Sequence, residues 1–87
     1  MSEAASAKAE RGRELYVRHA RRDGRSVAVL RAIDEGHRCV VEAEVWPSED
    51  RKENAGPYTF PTPVEATRFV THAVEALIAL GCDVRAS

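Results

Sequence analysis

The sequence predicts an α+β fold of two layers, in which a four-stranded antiparallel meander is followed by one C-terminal helix packed on one sheet face (β-β-β-β-α). Three observations predict it. Apolar and polar side chains alternate through the first half of the chain, an Asp-Gly pair interrupts that alternation, and a helical apolar period begins only after residue 62. The 87 residues leave room for one domain with one modest core.

The N-terminal residues 1–13 are small and polar, and we expect a flexible tail there. A single domain then spans 14–87. Its first strand alternates through 15–20 and ends at Asp23-Gly24. This pair predicts a hairpin of type I′, because both central residues of such a turn need positive φ.

The alternation of the first strand places Leu15 and Val17 on one face and Tyr16 and Arg18 on the other. After the turn, the run 26–33 is β-branched and mostly apolar, as expected of a central strand.

The third strand, 38–46, alternates regularly. One set of its side chains suits a core: Cys39, Val41, Ala43 and Val45. The opposite set is Val40, Glu42, Glu44 and Trp46. Pro47 is expected to end this strand because proline cannot donate to the ladder. The polar run 47–56 then predicts an exposed loop, and a short strand is expected over 57–60.

The helix has the most specific signals. Thr62 and Glu65 fit a capping box, Pro63 suits the first helical position, and Gly81 suits a left-handed C-terminal cap. The apolar stripe between them is Ala66, Phe69, Val70, Ala73, Val74, Leu77 and Leu80. We expect this stripe to cover the sheet face that carries Val17, Cys39, Val41 and Val45. Residues 82–87 could add a brief extended segment.

The other face of the sheet has no predicted cover. Its expected side chains, which we take as the candidate interface, are Tyr16, Arg18, Val40, Glu42, Glu44 and Trp46. A small chain that leaves Val40, Trp46 and Tyr16 exposed has a plausible homodimer surface. The leading hypothesis is therefore a non-catalytic binding module that self-associates through this face.

A nucleic-acid-binding hypothesis comes from the charge distribution. The net charge is −1, but residues 1–38 carry nine Lys or Arg against six Asp or Glu, while 39–87 carry four against eight. The first hairpin concentrates the cations Arg18, Arg21, Arg22 and Arg25 next to the face with Tyr16 and Trp46. Single-strand binders combine a cationic track with aromatic stacking surfaces.

At the level of architecture only, such a β-β-β-β-α unit resembles the single-stranded nucleic-acid-binding folds of Whirly proteins, Pur-alpha proteins and related transcriptional coactivators. The resemblance includes no sequence motif of those families, and it implies a nucleic-acid partner only by analogy. A third interpretation is a plain monomer whose outer face is a lattice of Arg–Glu pairs.

Other chemistries are not expected. No spacing among His19, His37, His72, Cys39 and Cys82 provides the three or four ligands of a zinc site, and no glycine-rich phosphate loop is present. Cys39 and Cys82 are interpreted as core residues. We expect no catalytic residue, no cofactor and no metal. The chain has no apolar run long enough for a membrane partner, so a cytoplasmic location is the default expectation.

Overall fold

The computed structural model describes residues 12–86. Its elements are strands β1 (Arg13–Arg22), β2 (Arg25–Asp34), β3 (Cys39–Ser48) and β4 (Arg51–Phe60), helix α1 (Pro63–Ala79) and strand β5 (Asp83–Ala86). All pairings are antiparallel, and the strands form one sheet in the order β4-β3-β2-β1-β5. The predicted α+β meander followed by one helix is confirmed, and β5 adds a fifth strand beside β1.

The start of the folded domain lies slightly earlier than predicted. β1 begins at Arg13, which falls in the expected tail. Residues 1–11 of that expected tail lie outside the described residues.

The β1–β2 hairpin follows the sequence prediction. Asp23 and Gly24 have φ values of 53° and 78°, as a type I′ turn requires. The Arg21 guanidinium donates a hydrogen bond of 3.0 Å to the Gly24 carbonyl across the turn. This hairpin therefore places three arginines, Arg21, Arg22 and Arg25, around one tight turn.

Both ends of α1 are capped as the sequence predicts. Thr62 Oγ1 accepts a 3.3 Å hydrogen bond from the backbone N–H of Glu65, and Pro63 occupies the first helical position. At the other end, Gly81 has φ 94° and its N–H donates to the Ile78 carbonyl at 2.9 Å. The next N–H, that of Cys82, donates to the Leu77 carbonyl at 3.0 Å. These two bonds form a Schellman motif, which turns the chain toward β5.

The prediction of a loop over 47–56 is wrong. β3 continues to Ser48, two residues make the turn, and β4 runs from Arg51 to Phe60. Pro47 lies in an irregularity of the β3–β4 ladder between Val45 and Ser48. Its missing N–H therefore removes no regular hydrogen bond of that ladder. β4 is an edge strand with mostly exposed side chains, so it needs no apolar periodicity, and its charges discourage pairing with another sheet edge.

The core between α1 and the sheet is built largely from small side chains. Its main cluster consists of Leu30, Ala32, Cys39, Val41, Ala43, Ala66 and Val70. Phe69 extends it at the β4 side, with its ring centroid 4.8 Å from that of Tyr58 and 5.3 Å from that of Phe60. Leu80, predicted on the buried stripe, is 64% exposed because it lies in the terminal turn after Leu77, the last stripe residue that packs on the core.

We expect the Phe69→Ala variant to lose about 2 kcal/mol of unfolding free energy, since the ring is half-buried and a fully buried Phe→Ala change costs about 3–5 kcal/mol. Urea unfolding followed by circular dichroism measures it. The matched control is Ile78→Ala on the same helix, which is 55% exposed and should cost less than about 0.5 kcal/mol. Equal losses in the two variants would contradict the assigned packing.

Candidate functional site

A bulge at Leu15 decides which side chains of β1 face the helix. Glu14 pairs with Ile33 and Tyr16 pairs with the next residue, Ala32, so Leu15 is an extra residue in β1. Leu15 and Tyr16 both pack against the core cluster under α1. From Tyr16 onward, the side chains of β1 therefore point to the faces opposite to those predicted by simple alternation.

Tyr16 and Arg18 lie on the helix side of the sheet, and their predicted place on the uncovered face is wrong. The Tyr16 hydroxyl is 2.9 Å from Thr67 Oγ1 on α1 and forms a hydrogen bond with it. Arg18 pairs with Leu30 of the core, and its guanidinium carbon lies 4.7 Å from the centroid of the Tyr16 ring. The bulge separates this pair from the other four predicted interface residues.

Val17 lies on the face of the sheet opposite to the one predicted for it. It was predicted beneath the helix with Cys39, Val41 and Val45, which do pack on the helix side. Val17 instead pairs with Arg31, which pairs with Glu42. Because paired residues share a face, all three point away from α1.

We call the side of the sheet that points away from α1 the open face. Its three cross-strand rows are Glu14–Ile33–Val40–Thr59, Val17–Arg31–Glu42 and His19–Val29–Glu44–Asn54. Trp46 follows Val45 of the helix side and so points to the open face as well. Four predicted interface residues, Val40, Glu42, Glu44 and Trp46, are thus brought together here.

The open face carries apolar side chains on both sides of a charged middle, where Arg31 lies opposite Glu42. Val17, Ile33 and Val40 are 8%, 9% and 6% exposed, although no helix within residues 12–86 covers them. Val29 and Trp46 are half-buried beside them. Sequence reasoning missed Val17, Val29 and Ile33 as members of this surface. The place of Val17 on this surface follows only from the bulge at Leu15.

Two ion pairs lie on the open face. Arg31 Nε lies 3.1 Å from a Glu14 carboxylate oxygen, and Lys52 Nζ lies 3.4 Å from a Glu44 oxygen. A groove of about 300 Å³ runs between them, with Val29, Arg31, Glu44 and Asn54 in its lining. The groove offers one guanidinium, carboxylates and an amide, and so it suits polar contacts with a partner of mixed charge.

The four predicted nucleic-acid-binding residues are split between the two faces of the sheet. Arg18 and Arg22 lie on the helix side, while Arg21 lines a shallow cleft of about 470 Å³ on the open-face side with His19 and Arg85. Arg25 pairs with Glu49 at 3.7 Å. The four arginines therefore do not form one patch. Arg85 reaches the cleft because β5 pairs with β1, a long-range contact that no local pattern signals.

Cys39 and Cys82 are both free and buried, which confirms their interpretation as core residues. Burial, and secondarily the negative charge of Asp34, raise the pKa of the Cys39 thiol from its usual value of about 9.0. A raised pKa keeps the thiol protonated and unreactive at neutral pH.

Within residues 12–86, no three histidine, cysteine or acidic side chains come close enough to hold a metal ion. The same part of the chain contains no helix with the length and apolarity to cross a bilayer. Comparison with known proteins finds no matching family model, no similar curated protein and no similar solved structure.

Native protein at pH 8 is expected to react with iodoacetamide at Cys39 far more slowly than protein unfolded in urea, because the buried thiol is protonated. Mass spectrometry of the labelled peptides measures this. Since the folded pKa lies above the unfolded value, this thiol should also lower stability as the pH rises above about 9.0, and not below it.

The Cys39→Ala variant is the control for both measurements. It should lack the slowly labelled site and should lose less stability than the unaltered protein between pH 8 and 10. Rapid labelling of Cys39 in the folded protein would show that the thiol is accessible and would contradict its burial.

Proposed function

We propose that this protein is a small non-catalytic binding module that associates with a second copy of itself through the open face. The observation that supports this proposal is the pair of half-buried apolar side chains on that face, Val29 and Trp46, which no helix in residues 12–86 covers. Protein interfaces are enriched in aromatic side chains such as Trp.

The composition of the core favours association. Among the buried apolar residues of 12–86, five are alanines and two are cysteines, and the largest fully buried side chains are Val41 and Cys39. Such a core supplies a modest hydrophobic free energy, and small domains commonly gain more by oligomerising. Joining two open faces would bury the half-exposed Val29 and Trp46 as well.

The charges of the open face are compatible with a two-fold interface. In such an interface each copy presents the same surface, so the surface must be complementary to itself. The open face carries both signs, with Arg31 in the middle row and Glu44 and Glu14 in the neighbouring rows. Opposed copies can therefore place a guanidinium of one near carboxylates of the other, which favours a defined register.

Single-stranded nucleic acid is the alternative partner, and the open face supports it weakly. Tyr16 and Arg18 point to the other side of the sheet, whereas Glu42 and Glu44 stay and would repel phosphates. The only aromatic residue of the predicted interface that remains there is Trp46. An open-face nucleic-acid site therefore lacks the cationic track that such sites use.

We place the module in the cytosol, without a cofactor or a metal. The support for this compartment is that both cysteines are free thiols, as is usual where the environment is reducing.

Sedimentation velocity at rising concentration tests the association. The unaltered protein should shift from 9.6 kDa toward a dimer, and the Val29→Glu variant should remain monomeric, because the added carboxylate would be buried in the interface beside Glu44. Circular dichroism establishes that the variant is folded.

The matched control is Ile78→Glu, which adds the same charge at an exposed position of α1. It should dimerise like the unaltered protein. A chain that stays monomeric at all concentrations would overturn the proposal. Loss of the dimer in Ile78→Glu but not in Val29→Glu would place the interface on the helix instead.

A further inference from the structure

One row of side chains crosses the whole open face and has β2 at its middle. β2 is the third of the five strands, and its residue in this row is Val29. His19 of β1 and Arg85 of β5 lie on one side of Val29, and Glu44 of β3 and Asn54 of β4 lie on the other. We call these residues the central row. Basic side chains thus lie on one side of its midpoint and a carboxylate on the other.

The two strands that flank β2 differ in charge on the open face. On β3, Glu42 and Glu44 are two residues apart and point to this face. The residues of β1 in the same two rows are Val17 and His19. In these rows β3 therefore carries carboxylates where β1 carries none.

A two-fold axis between two facing sheets lies in the plane of the interface, and aligned sheets allow two directions for it. An axis along the central row would place every strand over its own counterpart, so that β3 lies over β3. The carboxylates of Glu42 and Glu44 would then face those of the second copy, and like charges that face each other are destabilising. An axis along β2 exchanges the two sides of the sheet instead and places β1 over β3.

We propose that the two copies are related by an axis that runs along β2 near Val29, so that β1 of each copy lies over β3 of the other. This arrangement rests on the self-association proposed above and specifies how the second copy is seated. It places His19 against Glu44 of the second copy and Arg85 against Asn54 of the second copy. Val29 lies against its own counterpart at the middle of the interface.

The hydrogen bonding of His19 suits a carboxylate partner. Its Nε2 lies 2.9 Å from Ser26 Oγ, and the hydroxyl can donate to that nitrogen. In this tautomer Nδ1 carries the proton and can donate it to a carboxylate oxygen. A Glu44 oxygen lies 3.4 Å from Lys52 Nζ, but a carboxylate has about four acceptor positions and accepts a further donor. The dimer would contain this contact twice, once on each side of the axis.

Arg31 also lies near the proposed axis and therefore near its own counterpart. Its charge is balanced within each copy, because its Nε lies 3.1 Å from a Glu14 carboxylate oxygen and Glu42 is its cross-strand neighbour. The proposed axis thus opposes two guanidiniums that each have carboxylates beside them, which reduces their repulsion.

Cross-linking between single cysteines tests the arrangement. Arg85→Cys and Asn54→Cys each place a thiol at an exposed end of the central row, whereas Cys39 and Cys82 are buried. The two variants are mixed at a concentration where the unaltered protein is a dimer, and are treated with a bismaleimide whose length matches the spacing of about 10 Å between packed sheets.

The proposed axis predicts cross-linked dimer in the mixture and not in either variant alone. In a dimer of one variant with itself, the two thiols would lie at opposite edges of the interface, about 19 Å apart across five strands. An axis along the central row predicts the reverse, since each edge strand would then lie over its own counterpart. Circular dichroism establishes that both variants are folded.

Sedimentation of the Glu44→Gln variant gives a second measurement. The proposed axis predicts a weaker dimer, because the charged acceptor of His19 is replaced by a neutral one. An axis along the central row predicts a tighter dimer, because facing carboxylates are removed. The matched control is Glu75→Gln, which removes an exposed carboxylate of α1 and should dimerise like the unaltered protein.

Three outcomes in a dimeric protein would overturn the arrangement and leave self-association standing: cross-linking of Arg85→Cys or Asn54→Cys with itself, no cross-linking in the mixture, or a tighter dimer of Glu44→Gln. A chain that stays monomeric at all concentrations would overturn both proposals together. The two failures are therefore distinguishable.

Discussion

The pairing of β1 with β2 around the bulge at Leu15 determines the chemistry of both surfaces of the sheet. Side chains alternate along a strand, so one extra residue reverses the facing of every residue that follows until the next irregularity. Here the reversal puts Tyr16 and Arg18 under and beside α1 and turns Val17 and His19 to the other side. The same reversal takes Arg18 away from the face of Glu42 and Glu44.

The width of the sheet explains why part of its helix side is not covered by α1. Five strands at about 4.8 Å spacing span about 19 Å, whereas one helix with its side chains is about 10–12 Å across. α1 packs mainly on the central cluster around Val41 and Ala32, and its Phe69 turns toward β4. On β1, Arg18 is half-buried and Arg22 is exposed, whereas Ala20 between them is buried in the cluster with Cys82 and Leu77.

The two faces differ in how their charge is balanced. On the open face, Arg31 and Lys52 have carboxylate partners, and apolar side chains lie on both sides of the charged middle row. On the helix side of β1, Arg18 lies between Leu30 and Ala86, Arg22 lies opposite Arg25, and neither Arg18 nor Arg22 has a carboxylate partner within the described residues. The two faces of this small domain therefore differ in the balance of their charges.

The sequence by itself determined the elements with strong local causes. The Asp23-Gly24 turn, the Thr62 cap and the Gly81 end of α1 follow from residues within one turn of each other, and β3 follows from its alternation. The tertiary structure alone decided the rest. β4 forms because β3 supplies its hydrogen bonds, β5 forms because the end of α1 delivers it to β1, and the bulge at Leu15 arises from the register with β2. Since the facing of Tyr16, Val17 and Arg18 depends on that register, only long-range pairing could place the candidate surfaces.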